Sequence, residues 1–470
     1  VAPPHQLITR LLSGAEFLSS ALLGAYLIYL SDPRSRKQLL TVSAVGVTLE
    51  IILFFNRPET DSSVFQGCLH LGTGLGLAAV LAQASALVKC SDASALSKAQ
   101  RTLYAMLLLP GFIAVSISIL GLTKILHPRV LDAPVFLMDS AFSAAPSFTL
   151  SSAIQEMPFF RGLLVFIYMH LPAACAAIYA LGRRRKESGH DHDLINIFLW
   201  VGVAGFLVYH LVPVVGPASF FRNAFPDTPP ANEHIQAIKY LAIPEYRNCF
   251  PSLHTAWALL IAVYGSRLGR VIGIFSWVFA GLTLLATVGL GLHYVIDLVA
   301  AMPFLLAIQV WRRKDRRLRI LLLSSLTLFA VWVLAVLFGA AFLSTTPLVT
   351  WLFSIMTLVH FIFGQRMLSS ITSHDNGIKQ EIEPSPPQPM DAIGQGLTAV
   401  FFLSGFAALV YQVVFAKALA LTFGSMGGAS ATVLTAYMAG IALGSFIGGK
   451  LANDGRDPIR TYVICEVGIA

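Results

Sequence analysis

The sequence predicts an all-α, polytopic integral membrane protein with about 13–14 transmembrane helices. Three observations carry that prediction. The chain has 470 residues, is 56% hydrophobic and only 12% charged, against roughly 25% charged in soluble domains, and its mean hydropathy is +0.73. The apolar residues come in runs of about 20 without strict period-2 alternation, which fits helical spans better than an outer-membrane barrel. The basic residues sit in short loops between those runs. A soluble globular domain, a disordered chain and a secreted disulfide scaffold are excluded.

Runs of spanning length lie near 7–30, 38–55, 64–88, 103–125, 160–181, 194–216, 252–266, 271–290, 292–311, 319–343, 347–368, 397–422 and 429–449, and a fourteenth begins near 461. The loops test this series. With the N-terminus outside and every run crossing, 23 of the 32 Lys and Arg fall on the inner side and 7 on the outer side. That split, in strict alternation, is what the positive-inside rule predicts. The net charge of +8 therefore records topology, and no nucleic-acid partner is expected. Cys68, Cys90, Cys175, Cys249 and Cys465 form no CxxC pair, so no disulfide framework or zinc signature is expected. The first 30 residues lack a clear cleavage site, so a span is read there and not a signal peptide.

Two outer loops, 126–159 and 217–248, are long, and long loops in compact proteins are more often functional than idle. The first mixes Pro128, Pro134, Pro146 and Pro158 with apolar residues, and short helices on the membrane surface are expected. The inner stretch 369–392 carries Pro384-Ser385-Pro386-Pro387 and no apolar period. It reads as a flexible linker and domain boundary. The chain starts at Val1 and stops at Ala470 inside an apolar run, which suggests a piece of something longer, with a fused or associated domain beyond residue 470.

Polar residues at span ends are few, so a cluster of them is informative. One cluster is Arg247-Asn248-Cys249-Phe250-Pro251-Ser252-Leu253-His254; the other, about forty residues on, is His293-Tyr294-Val295-Ile296-Asp297. Pro251 suits the first helical turn, and Asn248 or Ser252 suits the cap. The N–H groups of that turn favour an anion. His293 and Asp297 are four apart; on a helix they share a face, so the carboxylate holds one imidazole nitrogen and aims the other. Both spans run from outside to inside, so both histidines lie at the outer end. A helix start that binds an anion, two histidines and an orienting carboxylate suit phosphoryl transfer through a phosphohistidine.

Pro-Ser-Leu-His at 251–254 and His-Tyr-x-x-Asp at 293–297 resemble the second and third signatures of the type 2 phosphatidic acid phosphatase superfamily. Leu253 and Tyr294, with Tyr209-His210-Leu211-Val212-Pro213-Val214-Val215-Gly216-Pro217 upstream, are similar to the branch of inositol phosphorylceramide synthase and sphingomyelin synthase. The resemblance implies a six-helix phosphatase-like core within 101–311. It implies His293 as nucleophile, Asp297 as its orienting partner, His254 as general acid/base, and no metal or other cofactor. The phosphatase branch carries Arg six residues before the second histidine, where this chain has Thr287, and the first signature has no clear counterpart. Phosphate would then be held by the Ser252 helix start with Arg247 or Arg222, and Tyr209 and Tyr294 join the expected substrate contacts.

A second resemblance covers Phe402–Gln412, Thr435–Ser445 and Gly448–Ala452, which look like the opening spans of membrane-embedded spermidine-synthase-like proteins. Gly440, Gly444 and Gly448 support close helix packing by themselves. The expected organisation is an N-terminal three-span region at 1–100, the enzyme core at 101–311, two further spans at 312–368, the linker, and transporter-like spans at 393–470. The expected function is hydrolysis or transfer of a phosphate or phospho-headgroup on a membrane lipid. The expected location is a bacterial plasma membrane with the site on the periplasmic side. The alternative is a lipid or small-molecule transporter or flippase with a phosphatase-like fold.

Overall fold

The computed structural model describes residues 16–55, 69–90, 92–142, 145–184, 191–231, 234–235, 241–243, 245–313 and 315–379, with a few isolated positions beyond 430. The chain parts into two units, Val1–Ser385 and Pro386–Ala470. The second unit, with the three C-terminal apolar runs and the spermidine-synthase-like stretch, lies almost wholly outside the described residues.

The described fold is all-α apart from one two-residue ladder. Helices α1 (Glu16–Ser31), α2 (Arg36–Phe55) and α3 (Thr73–Lys89) form the N-terminal group. The buried Glu50 carboxylate accepts the Gly72 and Gly74 N–H groups at 2.6 and 2.9 Å, capping α3 from a neighbouring helix. Helix α4 (Ala93–Leu126) starts at an Asp92 cap whose side chain accepts from Ala95 N. Strand β1 (Arg129–Val130) follows, then α5 (Asp132–Asp139), α6 (Pro146–Gln155) and α7 (Pro158–Met169). Both α6 and α7 begin on a proline, which needs no N–H partner there, and they meet at a bend of 118°.

Helix α8 (Leu171–Arg184) follows directly, then α9 (Asp191–Leu211), the short α10 (Pro217–Phe221) and β2 (Leu241–Ala242). Strand β2 pairs antiparallel with β1, joining the two long loops. Helices α11 (Leu253–Arg267), α12 (Arg270–Gly289) and α13 (Val295–Val310) complete the core. Helix α14 (Arg316–Leu334) is capped by Asp315, whose carboxylate accepts from Arg317 N and Leu318 N. It passes through a π turn at Ala335–Gly339 into α15 (Ala340–Thr345), and α16 (Pro347–Lys379) follows.

Six described helical stretches are long and apolar enough to cross a membrane, or seven if the bent α6–α7 pair counts as one. Helices α1, α3 and α13 are apolar but only 16 or 17 residues long. The long apolar run near 160–181 is broken at His170, which caps α7 before α8 begins. The expected short helices of 126–159 are present, but α5 is not superficial: nearly all its residues are buried in the core. Helix α16 runs to Lys379, so the stretch read as linker from residue 369 is helical over its first part, and the rest lies outside the described residues.

The loops assigned to one side meet at one end of the bundle. Asp32 pairs with Arg183 at 3.0 Å and accepts from the Thr102 hydroxyl at 2.7 Å, while Arg34 reaches Gln83 at 2.6 Å. Residues assigned to the outer side meet at the other end, where Leu131 N donates to Pro213 O and Cys249 N to Val214 O. The candidate site is built on that second end.

Candidate active site

The site is assembled from two helix starts and the loops before them. Ser252 is the N-cap of α11: its Oγ accepts from Thr255 N at 3.3 Å and from the Thr255 hydroxyl at 3.0 Å. Pro251 therefore lies outside the helix, one residue before the cap, and not in its first turn as the sequence suggested. At α13 the cap is Tyr294, and Asp297 sits at the third helical position in a capping box, accepting from Tyr294 N at 2.8 Å. Ser252 N donates to Asp297 O at 3.1 Å, locking the two starts together. The α11 start presents a positive dipole end to this region, whereas at α13 the Val295 and Ile296 N–H groups are taken by Asp139 Oδ1 at 2.7 and 3.3 Å.

His293 stands in the loop before α13, so it and Asp297 do not share a helical face. Its ring is placed by its own backbone: Leu292 N and His293 N both donate to Thr287 O, in the last turn of α12. The His293 Nδ1 lies 2.9 Å from Cys249 O, 3.3 Å from Cys249 Sγ and 3.5 Å from Asp297 Oδ2. The carbonyl accepts the Nδ1 proton, the carboxylate stands just beyond hydrogen-bond length, and Nε2 is left unprotonated. The Cys249 thiol donates to Asp297 Oδ2 at 2.8 Å. Burial, reinforced by the Asp297 and Asp132 carboxylates, pushes that thiol well above its ordinary value, so it stays an S–H donor.

His254, in the first turn of α11, faces His293 with ring centroids 6.1 Å apart. Tyr168 of α7 stacks on the His254 ring at 3.8 Å, and its hydroxyl meets Nδ1 at 3.1 Å. The other nitrogen, Nε2, is buried without a hydrogen-bond partner. This pairing of one anchored and one free nitrogen on each imidazole is the arrangement acid–base and nucleophilic chemistry require.

The expected phosphate contacts fare differently. Ser252 is fully buried and already engaged with Thr255. Arg247 is buried, and its guanidinium donates to the carbonyls of His127, Pro128 and Glu245, so it clamps the two outer loops and presents no free fork to an anion. Arg222 is exposed. Tyr209 is buried, and Tyr294 is buried with its hydroxyl on Asp132 Oδ1 at 3.1 Å. His127 and His210 pair with each other at 2.9 Å.

Besides Tyr168, three contributors carry no role readable from the sequence. Asp132 accepts from Val215 N, Gly216 N and the Tyr294 hydroxyl, and burial lifts its carboxyl to about 7. Asp139 accepts from Val295 N and Ile296 N at the start of α13, and burial with the neighbouring Asp297 charge lifts it to about 8. Cys249 is the third. The scarcity of acids in an apolar chain was the available signal for the first two. Gly216 is required at the seam: its φ is +92, and a Cβ there would lie 2.4 Å from the Leu292 carbonyl oxygen, one residue before His293.

Cys249 Sγ, His293 Nδ1 and an Asp297 oxygen lie within 4.8 Å of one another, a donor set able to hold a metal ion. In the structure these groups already satisfy each other, as S–H to carboxylate and N–H to carbonyl.

Residues 133–311 match the family model of the PAP2 superfamily. The match spans α5 through α13 and includes both histidine motifs. No curated protein and no solved structure matches the chain.

Proposed function

We propose that this protein is a membrane enzyme that cleaves a phosphoester bond of a lipid through a phosphohistidine, passing the phosphoryl or phospho-headgroup to water or to an acceptor alcohol. The single observation that carries the proposal is the pair of histidines. Each has one nitrogen held by the protein and one left for substrate, and they face each other between two helix starts. The match to the PAP2 superfamily over residues 133–311 supports it.

In this reading His293 Nε2 attacks phosphorus, forming an N–P bond as the P–O bond to the leaving alcohol breaks. The Cys249 carbonyl holds the Nδ1 proton, and the Asp297 carboxylate stabilises the positive charge that the ring acquires. His254 gives the proton on Nε2 to the departing oxygen, while Tyr168 holds its other nitrogen. Water or an alcohol then attacks phosphorus, its proton returns to His254, and the N–P bond breaks. The phosphoryl oxygens face the first turn of α11, where the dipole end favours an anion. The likeness of Leu253 and Tyr294 to the synthase branch supports headgroup transfer beside hydrolysis.

The test is the purified protein in lipid nanodiscs with phosphatidic acid, and separately with a phosphodiester lipid plus diacylglycerol or ceramide as acceptor. Phosphate release marks hydrolysis and a new lipid phosphodiester marks transfer. His293→Ala and His254→Ala are each expected to lower turnover at least 100-fold. Full turnover in both variants overturns the mechanism.

A further inference from the structure

The N-terminal helices lie outside the segment that matches the PAP2 superfamily, yet one of them reaches the candidate site. Helix α1 packs along α8, and its first turn brings Phe17 beside the histidine pair. The Phe17 ring centroid lies 5.5 Å from that of His254 and 6.0 Å from that of Tyr168. Phe17 is half-buried.

Those contacts belong to an apolar cluster separate from the main core. Its buried members are Ile154, Leu164, Tyr168 and Ala286, and half-buried Phe17, Leu150, Phe160, Leu282 and Leu285 pack against it. The cluster joins α1, α6, α7 and α12. It ends on Tyr168, which stacks on His254, whose Nε2 is buried and unpartnered. An apolar surface thus runs up to the acid–base group, on helices whose outward faces carry exposed Phe159, Phe275 and Val278. A substrate whose phosphoester sits between the histidines has its apolar part on this surface. A phosphoester that carries a hydrocarbon chain satisfies both ends.

We propose that Phe17 is a specificity-determining residue: it forms one wall of the acyl-chain site, so that the N-terminal helix sets the preference for long-chain lipid phosphoesters. This rests on the reading of the site as a lipid phosphoesterase. The competing role for Phe17 is to hold the His254 ring in place. The two roles separate experimentally, because a misplaced His254 slows every substrate alike, whereas a lost wall penalises long chains.

The experiment compares dioleoyl and dioctanoyl phosphatidic acid as substrates for the full chain in one detergent. In Phe17→Ala the ratio of kcat/KM for the long chain over the short one is expected to fall about tenfold, the value of losing roughly one large apolar contact. Phe17→Leu is expected to restore the ratio to within about threefold. Phe17→Trp, which keeps the helix contact, is expected to move the optimum toward shorter chains. An unchanged ratio in the Ala and Trp variants, or equal loss on both substrates, overturns the proposal. Binding of the two lipids to a His293→Ala background, read by thermal shift, gives the same comparison without turnover. If the wild-type protein cleaves neither lipid and transfers no headgroup from a phosphodiester lipid, the phosphoesterase reading fails. The acyl wall then stands or falls on whether Phe17→Ala weakens long-chain binding selectively.

Discussion

Replacing Asp297 by Asn is expected to slow turnover about 10- to 100-fold while leaving the fold intact. The magnitude follows from the contacts of the carboxylate. Oδ2 receives Tyr294 N at 2.8 Å and the Cys249 thiol at 2.8 Å, with His293 Nδ1 at 3.5 Å, and Oδ1 is buried without a partner. An amide oxygen in the Oδ2 position keeps the two short contacts, and the NH2 group takes the place of Oδ1. The capping box survives, so the melting temperature in detergent is expected to stay within about 2 °C. What is lost is the negative charge beside an imidazole that becomes positive during attack, an interaction of roughly 1.5–3 kcal/mol. Where an aspartate alone fixes the histidine tautomer, its loss costs about 10⁴-fold. Here the Cys249 carbonyl, at 2.9 Å, fixes it. Steady-state phosphate release, with acid-quench trapping of the phosphohistidine, measures the effect. A loss of about 10⁴-fold in a well-folded variant, comparable to that full tautomer penalty, would refute the assignment of the tautomer to the carbonyl. Unchanged turnover would remove Asp297 from the chemistry altogether.

Two further outcomes are expected. Gly216→Ala puts a Cβ against the Leu292 carbonyl at a positive φ, so it is expected to lose about 1–3 kcal/mol of stability and to lower kcat more than KM, because the carbonyl that must give way precedes His293; a variant with wild-type stability and kcat refutes this. Asp139 has a folded-state value of about 8, above the ordinary 3.8, so the folded protein holds that proton more tightly than the unfolded chain. Its contribution to stability is complete below about pH 4 and is lost as pH rises through about 8. The melting temperature is expected to fall between pH 6 and pH 8.5, and Asp139→Asn to flatten that slope; an identical slope in the variant counts against it.

Much of this site was legible because its signals are local. Ser252 is a cap residue followed by an apolar run, and the alternation of basic loops alone brought His254 and His293 to one end of the bundle. The relation of His293 to Asp297 was misread for an equally local reason. A spacing of four is helical only if the helix has begun, and Asp297 is itself the residue that closes the capping box and delays the start to Val295. Arg247 looked like a phosphate ligand because its charge is visible in sequence, whereas the carbonyls of His127 and Pro128 that consume its donors lie about 120 residues away. Asp132, Tyr168 and Phe17 were hidden in the same way: each acts through a partner 80 or more residues distant.

The same long-range contacts explain why the core helices are shorter than the apolar runs that encode them. Helix α13 needs about 20 residues to cross a bilayer but has 16, because Leu290 to Tyr294 leave the helix to present His293. Backbone that abandons a helix inside an apolar bundle must find other acceptors. Here each does: Leu292 N and His293 N reach Thr287 O, Val215 N and Gly216 N reach Asp132, and Val295 N and Ile296 N reach Asp139. The buried aspartates are thus the condition for having loops, and therefore free histidine nitrogens, at that depth. A chain that kept the two histidine motifs but lost Asp132 and Asp139 would leave the Val215, Gly216, Val295 and Ile296 N–H groups without these acceptors. Its helices would be driven to extend, carrying His293 onto the face of α13 and away from the Cys249 carbonyl.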